Sequence, residues 1–271
     1  MEYDPIKKVI GDVVGTNVFL RILFYKALGL LFLREWHVKR ALRRVFRNRS
    51  VTHVFDAGSG FGQYSYFLAK KYPEVRIHAV DVKEDQIADC RRFFTKAGIA
   101  NVHFQVEDLT VPLHDGEFDL ALSVDVMEHI PDDVRVFGNL FRALKPGGVL
   151  LVNTPSNLGG SDVAHEGEAG FIGEHARTGY GADEIRSKLE GAGFRIDHLS
   201  YTYGRWGTIA WRIGIKVPMK MLGASKLFFV LLPVYYLVTF PMTLLLMAAD
   251  YWSENVRGTG LLVVAAKPPS L

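Results

Sequence analysis

Val54-Phe55-Asp56-Ala57-Gly58-Ser59-Gly60-Phe61-Gly62 is a short apolar run, one acid, then glycines at alternate positions. Tyr64, Phe67 and Leu68 follow at helical spacing, with Lys70 and Lys71 near the end of that pattern. Strand, glycine turn and helix are the expectation, and glycine there lets a ligand lie against the backbone at a helix N-terminus. Asp56 sets the sign of that ligand. A dinucleotide would bring its pyrophosphate to this turn, and an acid beside the loop repels it. The spacing G-x-G-x-x-G fails as well, because Gln63 stands where the third glycine belongs. The loop calls for a ligand that presents positive charge.

Outward from this stretch the pattern is regular. Strands are expected over 51–56, 75–80, 102–107, 118–124 and 149–153, with helices over 62–72, 83–97 and 132–144 between them. Lys145-Pro146-Gly147-Gly148 stops the last of these helices. A Gly-rich polar loop runs from Thr154 to about residue 180. A helix over 182–191 and strands over 194–203 and 260–266 complete the series. Such alternation implies a doubly wound, mostly parallel sheet with its ligands at the carboxyl ends of the strands.

The glycine loop, Asp81, Asp108, the 119–130 stretch and the Lys-Pro-Gly-Gly turn stand in the order seen in class I S-adenosylmethionine (SAM)-dependent methyltransferases. Residues 51–203 and 258–268 resemble that family, in its small-molecule and lipid branch. The resemblance implies a seven-stranded, Rossmann-like sheet whose last strand is antiparallel and inserted beside the fifth. It implies SAM as cofactor, whose ammonium and sulfonium suit Asp56. The expected contacts are Asp56, Gly58, Ser59, Gly60 and Gly62 in the loop, Asp81 and Val82 at the ribose, Asp108 and Leu109 at the adenine, and Ser123 at the cleft floor. Asp81 could instead cap the next helix, and Asp108 could be an ordinary turn acid.

The acceptor side is expected beside Ser123-Val124-Asp125-Val126-Met127-Glu128-His129-Ile130. It is similar to a Glu-x-x-Glu-His element associated with a divalent metal in ubiquinone-pathway O-methyltransferases. By that resemblance Asp125, Glu128 and His129 are an alternative metal triad, although no metal is the primary expectation. His129 and His175 are the candidate general bases, with His165 and Glu174 nearby in sequence, because a histidine titrates near neutral pH. Arg177 and His175 could equally fasten their loop to the sheet edge.

With 271 residues the chain suits one large domain with an insertion. The single cysteine, Cys90, excludes a disulfide framework and suits a reducing compartment. The first twelve residues do not read as a secretory signal. Residues 1–50 read as an N-terminal amphipathic segment: 18–33 is rich in Phe, Leu and Ile with Arg21 and Lys26 set among them, and 34–49 carries seven Lys/Arg against one acid. Residues 51–204 and 257–271 read as the methyltransferase domain. Residues 205–256 read as an apolar, membrane-associating insertion before the last strand, whose stretch 227–249 has 23 uncharged residues and contains Pro233 and Pro241. The flanking strands share one sheet, so the insertion must return to the side it left, as a broken or hairpinned helix, or lie in the interface. The expected acceptor is lipid-like or prenylated, at the cytoplasmic membrane face, with no nucleic-acid partner. A soluble enzyme with an apolar cap and a non-catalytic SAM-binding scaffold are the alternatives.

Overall fold

The computed structural model describes residues 17–159, 169–170, 173–174, 176–225 and 227–269. Helices α1 (Val18–Leu31) and α2 (Leu33–Asn48) come first, separated by Phe32 in extended conformation. The alternating series is β1 (His53–Ala57), α3 (Gln63–Lys71), β2 (Arg76–Asp81), α4 (Glu84–Lys96), β3 (Val102–Val106), β4 (Phe118–Val124), α5 (Asp133–Ala143), β5 (Leu144–Pro155), α6 (Ala182–Gly191) and β6 (Arg195–Thr202). Then α7 (Arg205–Trp211) continues through a π-helical turn, Arg212–Lys216, into α8 (Val217–Ala224), and α9 (Phe228–Trp252) precedes β7 (Gly260–Ala266).

The sheet has seven strands in the order β3-β2-β1-β4-β5-β7-β6. β1 to β5 are parallel, and β7 runs antiparallel to both β5 and β6, as expected. The strand order reverses between β1 and β4. The ligand crevice of a doubly wound sheet opens there, at the carboxyl ends.

Helices cover both faces. Leu68, Ile87, Phe93 and Phe94 pack on one side, and Phe137, Leu140, Ile185 and Leu189 on the other. Helix α2 belongs to the first layer, with Val38, Ala41, Leu42 and Val45 buried in that core. The sequence places 34–49 with a membrane-facing segment. The structure turns its apolar stripe onto the sheet and leaves arginines such as Arg40, Arg43 and Arg44 on the outside. Packing therefore runs continuously across residue 50. Helix α1 buries Arg21 and Tyr25 and turns Phe19, Leu23 and Leu30 outward.

Residues 205–252 form an antiparallel helical hairpin. α7, the π turn and α8 make one arm and α9 the other, with the reversal after Ala224 and before Phe228. Near the base, the Gly207 N–H donates to Asp250 Oδ2 at 2.9 Å. Farther out, Tyr235 and Tyr236 donate their hydroxyls to the Ile213 and Gly214 carbonyls at 2.7 and 2.8 Å. The sequence reading puts the break at the prolines, but α9 runs unbroken for 25 residues with Pro233 and Pro241 inside it. Each proline removes one backbone bond. The two tyrosines between them clamp the helix to the first arm and keep it continuous. Thr202 and Pro155 both lie opposite Gly260 in the sheet, so the hairpin leaves and returns at the carboxyl edge, beside the crevice.

Candidate active site

The glycine loop takes shape because its backbone is left-handed at three positions: φ is +90° at Gly58, +50° at Gly60 and +72° at Gly62. A Cβ on Gly58 would also sit 2.2 Å from Val126 Cγ2, so this glycine is fixed by crowding as well. Above Gly60 there is open space. The loop is tied to β2: Gly58 and Ser59 donate their N–H groups to the Val80 carbonyl at 3.0 and 2.7 Å. Asp81 holds both sides of the crevice rim. Its Oδ2 accepts the Gly60 N–H and its Oδ1 the Lys83 N–H, each at 3.0 Å. The helix-capping alternative for Asp81 is thus realised at Lys83, alongside the contact to the loop.

Asp56 departs from the simplest expectation. Its carboxylate is buried and accepts the Ser65 hydroxyl at 2.6 Å, which fastens β1 to α3. Burial, helped by the charge of Asp81, pushes its pKa up to about 6. Val82 is exposed after β2, and Leu109 is buried. Asp108 accepts both the N–H and the hydroxyl of Thr110 at 2.8 Å, the turn-acid arrangement. Ser123 lies wholly buried at the end of β4.

Past β4 the backbone is strained, with Asp125 at φ +52° and its N–H held by the Asn153 carbonyl at 2.8 Å. Arg34, in the first turn of α2, pairs with the Asp125 carboxylate and donates its backbone N–H to the Tyr203 hydroxyl at 3.0 Å. Glu128 turns the other way. Buried in the turn Met127–His129, it accepts the Thr154 hydroxyl at 3.1 Å. Burial raises its pKa to about 7, against the pull of that hydrogen bond and the charge of Arg34. The three residues of the alternative metal triad therefore spread: Asp125 faces Arg34, Glu128 faces Thr154, and His129 ends the turn. His175 and His165 lie outside the described residues. Arg177 takes the fastening role. It pairs with Asp133 and donates to the Ile130 and Pro131 carbonyls at 2.7 and 3.0 Å.

The residues fit a polar cofactor. Among the described residues, Ser59 Oγ, Ser123 Oγ and Asn153 Oδ1 are buried without a hydrogen-bond partner. They come from the loop after β1, the end of β4 and the end of β5, the strand ends that border the crevice. Buried polar atoms are nearly always satisfied, so these three orphans along one rim suit a polar ligand there. Sequence reasoning missed Arg34, and also the loop clamp from α1. There Arg21 donates to the Phe61 carbonyl at 2.9 Å and pairs with Asp89, and the Tyr25 hydroxyl meets the same carbonyl. One signal was available: Arg21 sits with Lys26 in an otherwise apolar run, where a buried unpaired charge would not be tolerated.

Residues 48–178 match the family described as "Methyltransferase domain". This stretch is a methyltransferase domain. Over 121 residues the chain is 31% identical to trans-aconitate 2-methyltransferase of Deinococcus radiodurans, covering 44% of this chain and 43% of that protein. Over 127 residues it is 29% identical to the ubiquinone biosynthesis O-methyltransferase of Coxiella burnetii, covering 45% and 53%. The chain spans about half the length of these curated relatives. Among solved structures, phosphoethanolamine N-methyltransferase 2 of Haemonchus contortus, in complex with SAM, superposes with a TM-score of 0.61 at 20% identity over 96% of this chain and 59% of that one. The cyclase SpnF superposes with a TM-score of 0.57 at 20% identity over 81% and 75%. The methyltransferase domain thus has the class I SAM-dependent fold, shared with a neighbour solved with SAM, and its curated relatives are small-molecule methyltransferases.

Proposed function

We propose that the protein transfers the methyl group of SAM to a lipid-like or prenylated acceptor at the cytoplasmic face of a membrane. One observation carries this reading. The hairpin that rises from the crevice edge is apolar and largely uncovered, with Leu237 79% and Val238 74% exposed. Among the described residues α9 is the helix long and apolar enough to cross a bilayer, but its two-armed form supports insertion from one side. The outward Phe19, Leu23 and Leu30 of α1 add a second apolar surface, and the arginines and lysines of the first arm suit anionic head groups. A cap that enclosed a soluble acceptor would bury these side chains.

At the site, Asp81, Asp108, Ser59 and Ser123 would orient the cofactor, which supplies an electrophilic methyl group when bound. Asp56 sets a negative field behind the loop, with Ser65 fixing its direction. Glu128 joins His129 and His175 as a candidate base for an acceptor proton, because its raised pKa places it near neutrality. Alignment of acceptor and methyl would supply most of the rate. Mass spectrometry of lipid extracts from cells with and without the protein tests the reading. A lipid that gains the mass of one methylene only when the protein is present supports it. Unchanged lipids, with methylation of a water-soluble compound, contradict it.

A further inference from the structure

Behind the adenine side of the crevice three side chains converge from separate elements: His78 in β2, Glu107 just after β3, and His114 in the loop before β4. Their ligand atoms lie within 4.8 Å of one another. His78 Nε2 is 2.7 Å from Glu107 Oε1, and His114 Nε2 is 2.9 Å from Glu107 Oε2. Glu107 is buried and both histidines are largely shielded. Neither the family reading of this chain nor its cofactor requires the group.

The protons do not balance with neutral rings. A neutral imidazole has one N–H and one bare nitrogen. His114 presents Nε2 to Glu107 and Nδ1 to Glu117 Oε1, at 3.2 Å, so both of its nitrogens face carboxylate oxygens. If Nδ1 donates to Glu117, Nε2 is bare and points at Glu107, lone pair against lone pair. A positive charge between Nε2 and Glu107 removes the conflict. Either an extra proton or a metal cation supplies it.

We propose that His78, Glu107 and His114 bind a divalent transition metal of the zinc class, with Glu117 orienting His114. Two imidazoles and one carboxylate are a recognised donor set for zinc. The contact from Glu117 to the far nitrogen of a ligating histidine is the usual outer-shell arrangement. Glu107 and His114 also line a cavity of about 20 Å³, large enough for a single ion or water, with Phe55 and Leu109 in its wall. An ion among the three side chains, beside this cavity, replaces the two direct contacts to Glu107 with three metal bonds, which requires each histidine nitrogen and its Glu107 oxygen to move apart to the roughly 3.3 Å that tetrahedral bonds near 2.0–2.1 Å imply. Because Asp108 and Leu109 follow Glu107 directly, the ion would staple the 107–117 loop to β2 and stiffen the adenine wall.

The test uses the full chain, stripped with a chelator, and then Zn²⁺ or Co²⁺ alone. Titration calorimetry should show one saturable zinc equivalent, and Co²⁺ should give the visible absorption of a tetrahedral site. His114→Ala and Glu107→Gln should each abolish the cobalt spectrum, and Glu117→Gln, at a half-exposed position, should weaken binding about 10–100-fold. Far-UV circular dichroism of each variant confirms the fold. Absence of saturable binding in the wild type overturns the proposal, as does wild-type affinity in well-folded His114→Ala and Glu117→Gln. Nuclear magnetic resonance showing that His114 keeps both ring protons in the presence of excess Zn²⁺ assigns the charge to a proton and overturns it too.

Discussion

Leu122 and Leu237 are chemically the same side chain in opposite situations. Leu122, in the central strand β4, is 0% exposed, whereas Leu237, in the outer arm of the hairpin, is 79% exposed. The doubly wound core satisfies its own apolar surface. The hairpin does not, and an uncovered apolar surface of this extent marks an interaction site. The hairpin is rooted at the ends of β6 and β7, on the same edge of the sheet as the crevice. Substitutions on the two sides should therefore separate cleanly, and the size of each effect tests the division.

The largest effect is expected at the crevice. Glu128→Gln should lower turnover by about 10²–10⁴-fold with SAM affinity nearly unchanged, and wild-type turnover should fall as pH drops below about 7. Normal turnover in Glu128→Gln would move the base to His129 or His175, or leave catalysis to positioning alone. The leucine pair comes next. Leu122→Ala should destabilise the fold by about 2–5 kcal/mol. In membrane-free solution Leu237→Ala should change stability by no more than about 0.5 kcal/mol, as substitutions at exposed positions do. Equal losses, read by denaturant unfolding, would mean that the hairpin is buried in solution by a second copy or a partner.

Most of the core was legible because each strand and helix announces its own period and stop signal. Gly98 punctuates the chain where the structure turns, whereas Pro146 and Gly147, expected as a stop between helix and strand, lie within the first residues of β5. What escaped notice depends on side chains distant in sequence. Arg34 reads as one more member of a basic run, yet it is the residue that reaches Asp125. The first arm of the hairpin was hidden for the opposite reason. Its arginines and lysines break the apolar pattern, so the long stretch of α9 looked like an element that had to fold back on itself. Gly207 and Gly214 are the marks of close packing between the arms. A Cβ on Gly207 would come within 2.8 Å of the Asp250 carboxylate, and one on Gly214 within 2.9 Å of Thr243.

Smaller effects sharpen the account of the crevice itself. Asp81→Ala should weaken SAM binding by about 1–3 kcal/mol, the usual loss for charge-assisted hydrogen bonds, and calorimetry measures it. Unchanged affinity in a folded variant would remove Asp81 from the cofactor site. Asp56→Asn should part stability from function. The folded-state pKa of Asp56, about 6, lies above its ordinary 3.8. Its protonated form is thus favoured by folding, and that contribution is lost as pH rises from 4 through about 6. At pH 8 the asparagine variant should be more stable than wild type without cofactor, by up to about 1–3 kcal/mol, and should lose this advantage near pH 4. Its SAM affinity should fall. A variant less stable than wild type at pH 8 would show that the Ser65 contact outweighs the cost of the buried charge.

The division between a self-contained core and an outward hairpin is tested most directly by flotation on anionic phospholipid vesicles. The arms approach closely at Gly214 and Thr243, so residues 213–243 can be replaced by a short Gly-Ser link that keeps the base around Leu33, Ala210, Met247 and Asp250. At about 1 M salt, where charge attraction is screened within roughly 3 Å, the intact protein should still float. The shortened protein should stay at the bottom of the gradient and still bind SAM. An intact protein that fails to float, or a shortened one that floats equally well, would contradict the claim that the hairpin holds this methyltransferase domain on a lipid surface.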